Sequence, residues 1–455
     1  MTERELLRRA AELAADHLDT LETRPVYPQV SVEELAGRIE MPLPDGPTDP
    51  AIVVEELAAA LEPGVVASQS GRYFGFVVGS SLPSALAADV LVSAWDQNLG
   101  LLSLGPSSLV AENTAGAWVK ELLGIPESAS FAFVTGCQTA HFTCLAAARQ
   151  HLLATAGWDV VERGLAGSPP LSVLVGSKRH STIDRALRYL GIGRAQIRVL
   201  EALPDGRLDP AALVAALGET HAPTIVCAQA GEVNTGVFDD LVAVADAVEG
   251  TGAWLHVDGA FGLWAAASPS LSHLVAGSER ADSWATDAHK WLNVPYDCGI
   301  AFCAHPDAHR EAMTAQAVYL ARENDVIREP VDWTPEHSRR ARAVPVYAAL
   351  RQLGRSGVAE LVERTCAHAQ RFAVAIAELS GCEVLNEVVL NQVLFRFADD
   401  STTDAALASV QASGEAWMSG TEWDGRRAIR LSVSSWRTTE RDVDRAVAAF
   451  AAALA

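Results

Sequence analysis

Of the 35 basic residues in this chain only three are lysines, Lys120, Lys178 and Lys290. Where arginine serves the surface, each remaining lysine raises the question of why an amine is needed. Lys290 lies in Ser283-Trp284-Ala285-Thr286-Asp287-Ala288-His289-Lys290-Trp291-Leu292, beside a histidine and between two predicted strands. A surface lysine is one reading. The flanking Trp291 and Leu292 give the other: an amine in an apolar setting loses proton affinity and becomes a usable nucleophile.

Three further segments carry chemistry. Trp254-Leu255-His256-Val257-Asp258-Gly259-Ala260-Phe261-Gly262 reads as a buried strand ending in an aspartate and small residues. Ligands of open parallel sheets bind beyond the carboxyl ends of strands, where Asp258 falls, although a helix cap is an equal alternative for it. Val134-Thr135-Gly136-Cys137-Gln138-Thr139-Ala140-His141 joins a strand to a helical run, and a small-residue turn opening a helix is an anion site. Lys178-Arg179-His180-Ser181 follows the strand-like LSVLVG and puts His180 at another strand end, in a structural or a chemical role. Together these segments offer a phosphate cradle, an imidazole, a carboxylate and an amine, the set that pyridoxal phosphate requires.

Positioning that set calls for a sheet with its strand ends aligned. From Phe131 onward, short apolar runs (FAFVT, LSVLVG, QIRVL, TIVCAQ, AWLHVD, GIAFC) alternate with helical segments. That rhythm predicts an α/β fold, a mostly parallel sheet with helices on both faces. Ahead of it, residues 3 to 22 form an amphipathic helix that cannot bury its stripe alone, Asp49-Pro50 starts a helix and Pro63-Gly64 stops one. Helical patterns at 83 to 98 and 107 to 123 follow, the latter with Lys120 on its wet side. A polar, proline-punctuated connection spans about 305 to 340, and a helical stretch runs from 343 to about 380. The strand-like LNQVLFRF and AIRLSVSS and a final helix from Glu440 suggest a small α+β domain. The expected division is an N-terminal helical dimerisation segment at 1 to 65, a large cofactor domain at 66 to 340 and a small C-terminal domain at 341 to 455.

The whole chain bounds the function. Its 455 residues are 49% hydrophobic, enough for a large core, and no apolar stretch reaches the roughly 18 residues of a membrane span. A formal charge of −22 repels phosphate backbones and anionic lipid, which argues against nucleic acid and membrane partners. The start, MTERELLRR, lacks the apolar core of a secretory signal, and the seven scattered cysteines form neither CxxC pairs nor a metal-ligand spacing. We read a cytoplasmic protein with reduced thiols and no metal site.

At HVDGAFG and DSWATDAHKWLNVPYDCG the chain resembles the group II pyridoxal-phosphate decarboxylases, which include glutamate and aromatic amino acid decarboxylases. Supporting matches are GCQTAH, RHSTIDRALRYLGIG and NTGVFDDL, and the resemblance runs from about residue 70 to the end. It implies fold type I and an obligate homodimer with active sites near the subunit interface, in which a partner buries the N-terminal helix. It implies Lys290 as the lysine that carries the cofactor, Asp258 on the pyridine nitrogen and His180 stacked on the ring. Ala260 would lie on the other face, with Gly136, Cys137, Gln138 and His289 near the phosphate. Arg430 matches an arginine that holds the substrate's side-chain carboxylate in glutamate-type members and is structural in others.

Three positions depart from the family pattern. Glu232 stands where a threonine is usual near the cofactor's phenolic oxygen and becomes a candidate for proton transfer beside His180. His141 replaces an asparagine or threonine. Pro330 occupies the place of a proton-donating tyrosine, with Tyr319 at the start of the same loop. The loop from about Leu320 to Trp333, carrying Arg322, Glu323, Asn324, Asp325, Arg328 and Glu329, is expected to bury little and to close over substrate. The implied reaction on an amino acid is α-decarboxylation to an amine and carbon dioxide. Oxygen-dependent aldehyde formation, associated among relatives with loss of that tyrosine, and retro-aldol cleavage are the alternatives, and a non-catalytic cofactor-binding protein is the alternative of another class.

Overall fold

The computed structural model describes residues 1–314 and 327–455, which form two compact units. One consists of Gly79–Ala367 with Asn386–Gln392, the other of Met1–Val78, His368–Leu385 and Val393–Ala455.

The larger unit is built on seven strands: β1 (Ser130–Val134), β2 (Ser172–Gly176), β3 (Ile197–Leu200), β4 (Thr224–Gln229), β5 (Trp254–Asp258), β6 (Ser283–Asp287) and β7 (Gly299–Cys303). Their order is β1-β7-β6-β5-β4-β2-β3. Parallel pairing joins β3, β2, β4, β5 and β6, while β7 runs antiparallel to both β6 and β1. Six strands therefore point one way, and Val134, Gly176, Gln229, Asp258 and Asp287 end at one edge of the sheet. The start of β7 joins them there, because Gly299 pairs with both Val134 and Asp287. Residues of β4, β5, β6 and β7 are buried throughout, as a sheet covered by helices on both faces requires.

Of these strands β6 is not among the apolar runs of the sequence. SWATD carries Ser283, Thr286 and Asp287, yet all five residues are buried. Two of its polar side chains find partners inside: Ser283 Oγ accepts from Trp254 Nε1, and Asp287 Oδ1 accepts from the N–H of Cys137, while the Thr286 hydroxyl is buried without a hydrogen-bond partner among the described residues. Lys120 is also placed differently from the expectation. It is half-buried, and its amine donates to the carbonyls of Glu127 and Ala129, closing the turn after the helix Pro106–Leu123. The long helical stretch Ala343–Ala377 is broken at Gly354, whose φ of 61° and ψ of −178° leave the helix.

The last part of the loop from about Leu320 to Trp333 also differs from the expectation. Tyr319, Leu320, Arg322, Glu323, Asn324 and Asp325 lie outside the described residues. Downstream of them the chain is fastened. Arg328 donates to Glu112 at 2.8 Å and to the carbonyl of Phe131 at 2.7 Å, and Glu329 accepts from the N–H of Leu102 at 2.7 Å. Pro330, Val331 and Asp332 are buried in a 3₁₀ turn. The stretch from Arg328 to Trp333 therefore has much to bury and is a fixed foot.

In the other unit, a four-stranded sheet has the order β10-β11-β9-β8, with β8 (Glu383–Val384), β9 (Gln392–Arg396), β10 (Ser419–Trp423) and β11 (Arg426–Ser432). Asp424 and Gly425, with φ of 48° and 74°, make the two-residue turn between β10 and β11, the left-handed pair that a tight hairpin prefers. Three helices open the chain: Glu3–Asp19, Val32–Ile39 and Pro50–Leu61. Thr2 and Ser31 cap the first two through reciprocal bonds with Glu5 and Glu34, and Asp49 caps the third ahead of Pro50. Local chemistry thus defines these helices well. None of the three contains a buried residue.

Candidate functional site

The ends of β1, β5 and β6 carry the site. Beyond β1, the chain turns at Gly136 and enters the helix Cys137–Thr155. Gly299 at the start of β7 packs so tightly on this turn that an added Cβ would lie 2.4 Å from the carbonyl carbon of Gly136. A side chain on Gly136 itself would meet His289 Cε1 at 3.2 Å. Close approach therefore demands glycine at 299, and at 136 a side chain would require the His289 ring to give way.

Beyond β6, Lys290 extends its amine to 3.0 Å from Asp287 Oδ2. Its apolar neighbours predict a lowered proton affinity, and the structure gives the opposite direction. Trp291 and Leu292 turn into the core, Trp291 donating to Thr365 Oγ1 at 2.9 Å. Burial alone would lower the lysine's pKa, but the carboxylates of Asp287 and Asp258 outweigh it and raise the value. In the protein without cofactor this amine is held as an ammonium ion.

Asp287, which the sequence reading did not single out, organises the entrance to the helix. Its Oδ1 accepts from the Cys137 N–H at 2.6 Å and lies 3.6 Å from His289 Nε2. Backbone Cys137 is consequently not offered to a phosphate, a correction to its expected part in the cradle. Burial also pushes the Cys137 thiol well above its usual range, so it is a neutral group. His289 accepts from the N–H of Cys298 on Nδ1 at 3.0 Å and stacks on Tyr296, with ring centroids 4.4 Å apart. Gln138 donates to the carbonyl of Thr182, and the hydroxyls of Thr135 and Thr139 meet at 2.7 Å beside the helix start.

Asp258 closes β5 and is 5% exposed. Desolvation pushes its pKa up, but His141, His180 and Lys290 oppose that push and hold the carboxyl well below the ordinary range. His141 Nε2 is 3.5 Å from Asp258 Oδ2, an ion-pair separation somewhat longer than an ordinary hydrogen bond. Cys137, His141 and Asp258 bring their polar atoms within 4.8 Å of one another. Ala260 follows on the same edge, its N–H donating to Asp258 Oδ1 at 3.2 Å, and it packs against the small residues around Cys137 and Ala140.

His180 caps the helix Ser181–Tyr189 and is exposed at the sheet edge beyond β2. Its Nδ1 accepts from the Thr182 N–H at 3.4 Å and lies 2.8 Å from the Thr182 hydroxyl. An imidazole accepting on Nδ1 keeps its proton on Nε2.

Glu232 has a different part from the proton carrier expected of it. Its carboxylate accepts from the N–H groups of Asn234 and Thr235, each at 2.8 Å, from Asn234 Nδ2 at 2.8 Å and from the Thr235 hydroxyl at 3.0 Å. Four donors from its own turn occupy both oxygens, so Glu232 shapes the loop after β4. Arg430 lies in the other unit, on β11 opposite Ser419, with its guanidinium 6.0 Å from the ring centre of Phe76.

A lysine amine, a buried ionised carboxylate and a helix opening on one sheet edge suit pyridoxal phosphate, which needs a covalent anchor, a partner for its ring nitrogen and an anion site. The tight Gly136–Gly299 approach holds the turn that opens this helix. The site is that of a fold type I, pyridoxal-phosphate-dependent enzyme. The pyridoxal-dependent decarboxylase conserved domain matches residues 33–398, and the chain belongs to that family of carboxy-lyases. It is 27% identical to 4-hydroxyphenylacetaldehyde synthase of Rhodiola rosea, over 95% of this chain and 91% of that protein. It is 26% identical to an aromatic-L-amino-acid decarboxylase of Bacillus atrophaeus, over 97% and 93%. A crystal structure of Oryza sativa TDC with PLP and tryptamine superposes with a TM-score of 0.93 at 25% identity, covering 99% of this chain and 97% of that one.

Proposed function

We propose that the protein removes the α-carboxylate of an amino acid, acting as a cytoplasmic homodimer with Lys290 as the residue that carries the cofactor. The observation behind this reading is the meeting of Lys290, Asp258 and the opening of the helix Cys137–Thr155 at one edge of the sheet. Pyridoxal phosphate, when bound, supplies the electron withdrawal that weakens a bond at the substrate's Cα. Asp258 keeps a negative charge for the ring nitrogen, and His180 and Ala260 bound the two ring faces. The phosphate falls to the backbone N–H of Gln138, one of the donors that a helix start leaves without an intrahelical partner, and to Thr135, Thr139 and His289. His180, with its proton on Nε2, is the group that returns a proton to the substrate carbon. Arg430 is the candidate for a substrate carboxylate, and the buried free thiols of six of the seven cysteines accord with a reducing compartment.

A second reading, aldehyde formation, is favoured by one observation. Pro330, at the family's tyrosine position, is buried in the fixed foot of the loop and has no proton to give. A panel of amino acids and β-hydroxy amino acids, with carbon dioxide, amine, ammonia, hydrogen peroxide and aldehyde all measured, decides between them. Amine and carbon dioxide in equal amounts support decarboxylation. Aldehyde with ammonia and peroxide replaces it with the second reading, and glycine with an aldehyde from a β-hydroxy substrate indicates retro-aldol cleavage.

A further inference from the structure

Behind Asp258 lies a buried chain of polar side chains that the functions assigned above do not use. Trp254 Nε1 donates to Ser283 Oγ at 2.9 Å, and the same oxygen is 2.9 Å from His256 Nδ1. His256 Nε2 is 2.9 Å from His141 Nδ1, and the two rings meet at 86°. The chain ends with His141 Nε2 facing Asp258 Oδ2 at 3.5 Å. Exposure is 1% for Trp254 and zero for Ser283, His256 and His141. The arrangement follows from the fold: His256 and Asp258 are two apart on β5 and share a face, Ser283 pairs with His256 across β6, and the helix Cys137–Thr155 lays His141 over them.

We propose that His141 is a positioning residue, fixed through His256, Ser283 and Trp254 so that an N–H always faces Asp258 and keeps that carboxylate charged toward the cofactor's ring nitrogen. The proposal rests on the reading of Asp258 as the partner of that nitrogen. An indole nitrogen can only donate, so Ser283 Oγ accepts from Trp254 and has its own proton to pass on, which favours one direction for the chain. The Ser283 hydroxyl gives its proton to His256 Nδ1, His256 Nε2–H points to His141 Nδ1, and the proton of His141 is left on Nε2. In the reverse direction a neutral His141 would turn a lone pair to the carboxylate, so that direction requires a charged His141, which again presents an N–H. Burial pushes His256 down to about 3, which keeps it a neutral link. Groups facing Asp258 are His141 from the helix Cys137–Thr155, Cys137 from the same helix, His180, Lys290 and, from β4, Cys227. Those facing His256 are His141, Asp258 and Ser283.

The test compares wild type with Ser283→Ala, His256→Gln, His141→Phe and Asp258→Asn. In the apoprotein, ¹⁵N-histidine NMR reads the tautomer, and in the holoenzyme the ¹⁵N resonance of ring-labelled pyridoxal phosphate reads protonation of its nitrogen from pH 6 to 9. The expected result is a His141 protonated on Nε2 whose signals move in Asp258→Asn, and a ring nitrogen that loses its proton within this range in His141→Phe. His256→Gln and Ser283→Ala, which do not touch Asp258, shift that titration in the same direction, and kcat for the best substrate of the panel falls about three- to tenfold with KM unchanged. If the relay variants that fold keep the wild-type ring resonance while Asp258→Asn moves it, the proposal is overturned. Should Asp258→Asn itself leave the resonance in place, the reading of Asp258 fails and the relay falls with it.

Discussion

In the proposed site Lys290 and Asp258 would divide the work of holding a cofactor, one by a covalent bond and the other by charge, and each gives a test at the scale of one residue. Borohydride reduction of the loaded enzyme followed by peptide mapping should leave the pyridoxyl group on Lys290. Recovery on Lys120 is hard to reconcile with its two carbonyl partners, and recovery on Lys120 or Lys178 would sink the assignment. Asp258→Asn should retain the cofactor yet lose more than tenfold in kcat, since a neutral amide cannot hold a ring nitrogen protonated. Turnover within about tenfold, roughly 1.4 kcal/mol of barrier, would contradict the role. Residue types alone pointed to much of the proposed site: a rare lysine beside a histidine and an aspartate at a strand end were both visible in the chain. Asp287 and the Glu232 turn were not, because their importance lies in which N–H groups the fold brings to each carboxylate. Lys290 teaches the same lesson, since sequence neighbours suggested an apolar setting and spatial neighbours supply two carboxylates.

At the scale of elements, the foot of the loop after residue 326 depends on buried polar groups. Glu112 has no exposed side-chain surface and is clamped by Arg328 at 2.8 Å and Arg339 at 2.6 Å. His309 bridges Ser130 Oγ on Nδ1 and the carbonyl of Trp333 on Nε2, and burial lowers its pKa to about 4. A folded value depressed below the unfolded one means that the unfolded chain takes up the proton first. Stability from His309 is therefore complete above about pH 6.5 and is lost as pH falls toward 4, by up to about 3 kcal/mol. Urea unfolding at stepped pH should show this loss in wild type and a smaller one in His309→Gln; equal acid sensitivity would remove His309 as the cause. Glu112→Ala, leaving two arginines without their carboxylate, should cost about 3–5 kcal/mol at neutral pH. The sequence marked the strands of the parallel core by their apolar runs, but β6 hides behind Ser283 and Asp287, whose partners come from other elements. For β10, SGTEW is too polar to read as a strand, although Asp424-Gly425 was a hairpin signal in plain sight.

For the whole molecule, the unusual feature is the surface of the first 65 residues. Leu7, Val32, Ile52, Val53 and Leu57 are 46% to 77% exposed, on helices that contain no buried residue, and Met41 and Leu43 in the connection between the second and third helices are 66% and 92% exposed. So much apolar surface on one segment marks an interaction site. The helix Glu3–Asp19 is joined by charged contacts to the third helix and the turn after it, Arg9 with Glu55 and His17 with Glu62 at 3.2 Å, and exposed pairs of this kind contribute little. A second copy of the chain is the proposed cover. Each copy carries a charge of −22, so association must overcome mutual repulsion by burying apolar area, and added salt should strengthen it by screening. Sedimentation should give about twice the 48.2 kDa of one chain, at 0.5 M salt as well as at 0.05 M. Deleting residues 1 to 24 should produce aggregation or dissociation together with loss of activity. Leu7→Asp with Leu57→Asp should do the same more gently, by placing charge on the apolar face while leaving the caps at Thr2 and Asp49 intact. Wild-type protein that sediments as a single chain, or a truncated form that is dimeric, soluble and fully active, would show that these helices serve something other than the subunit interface.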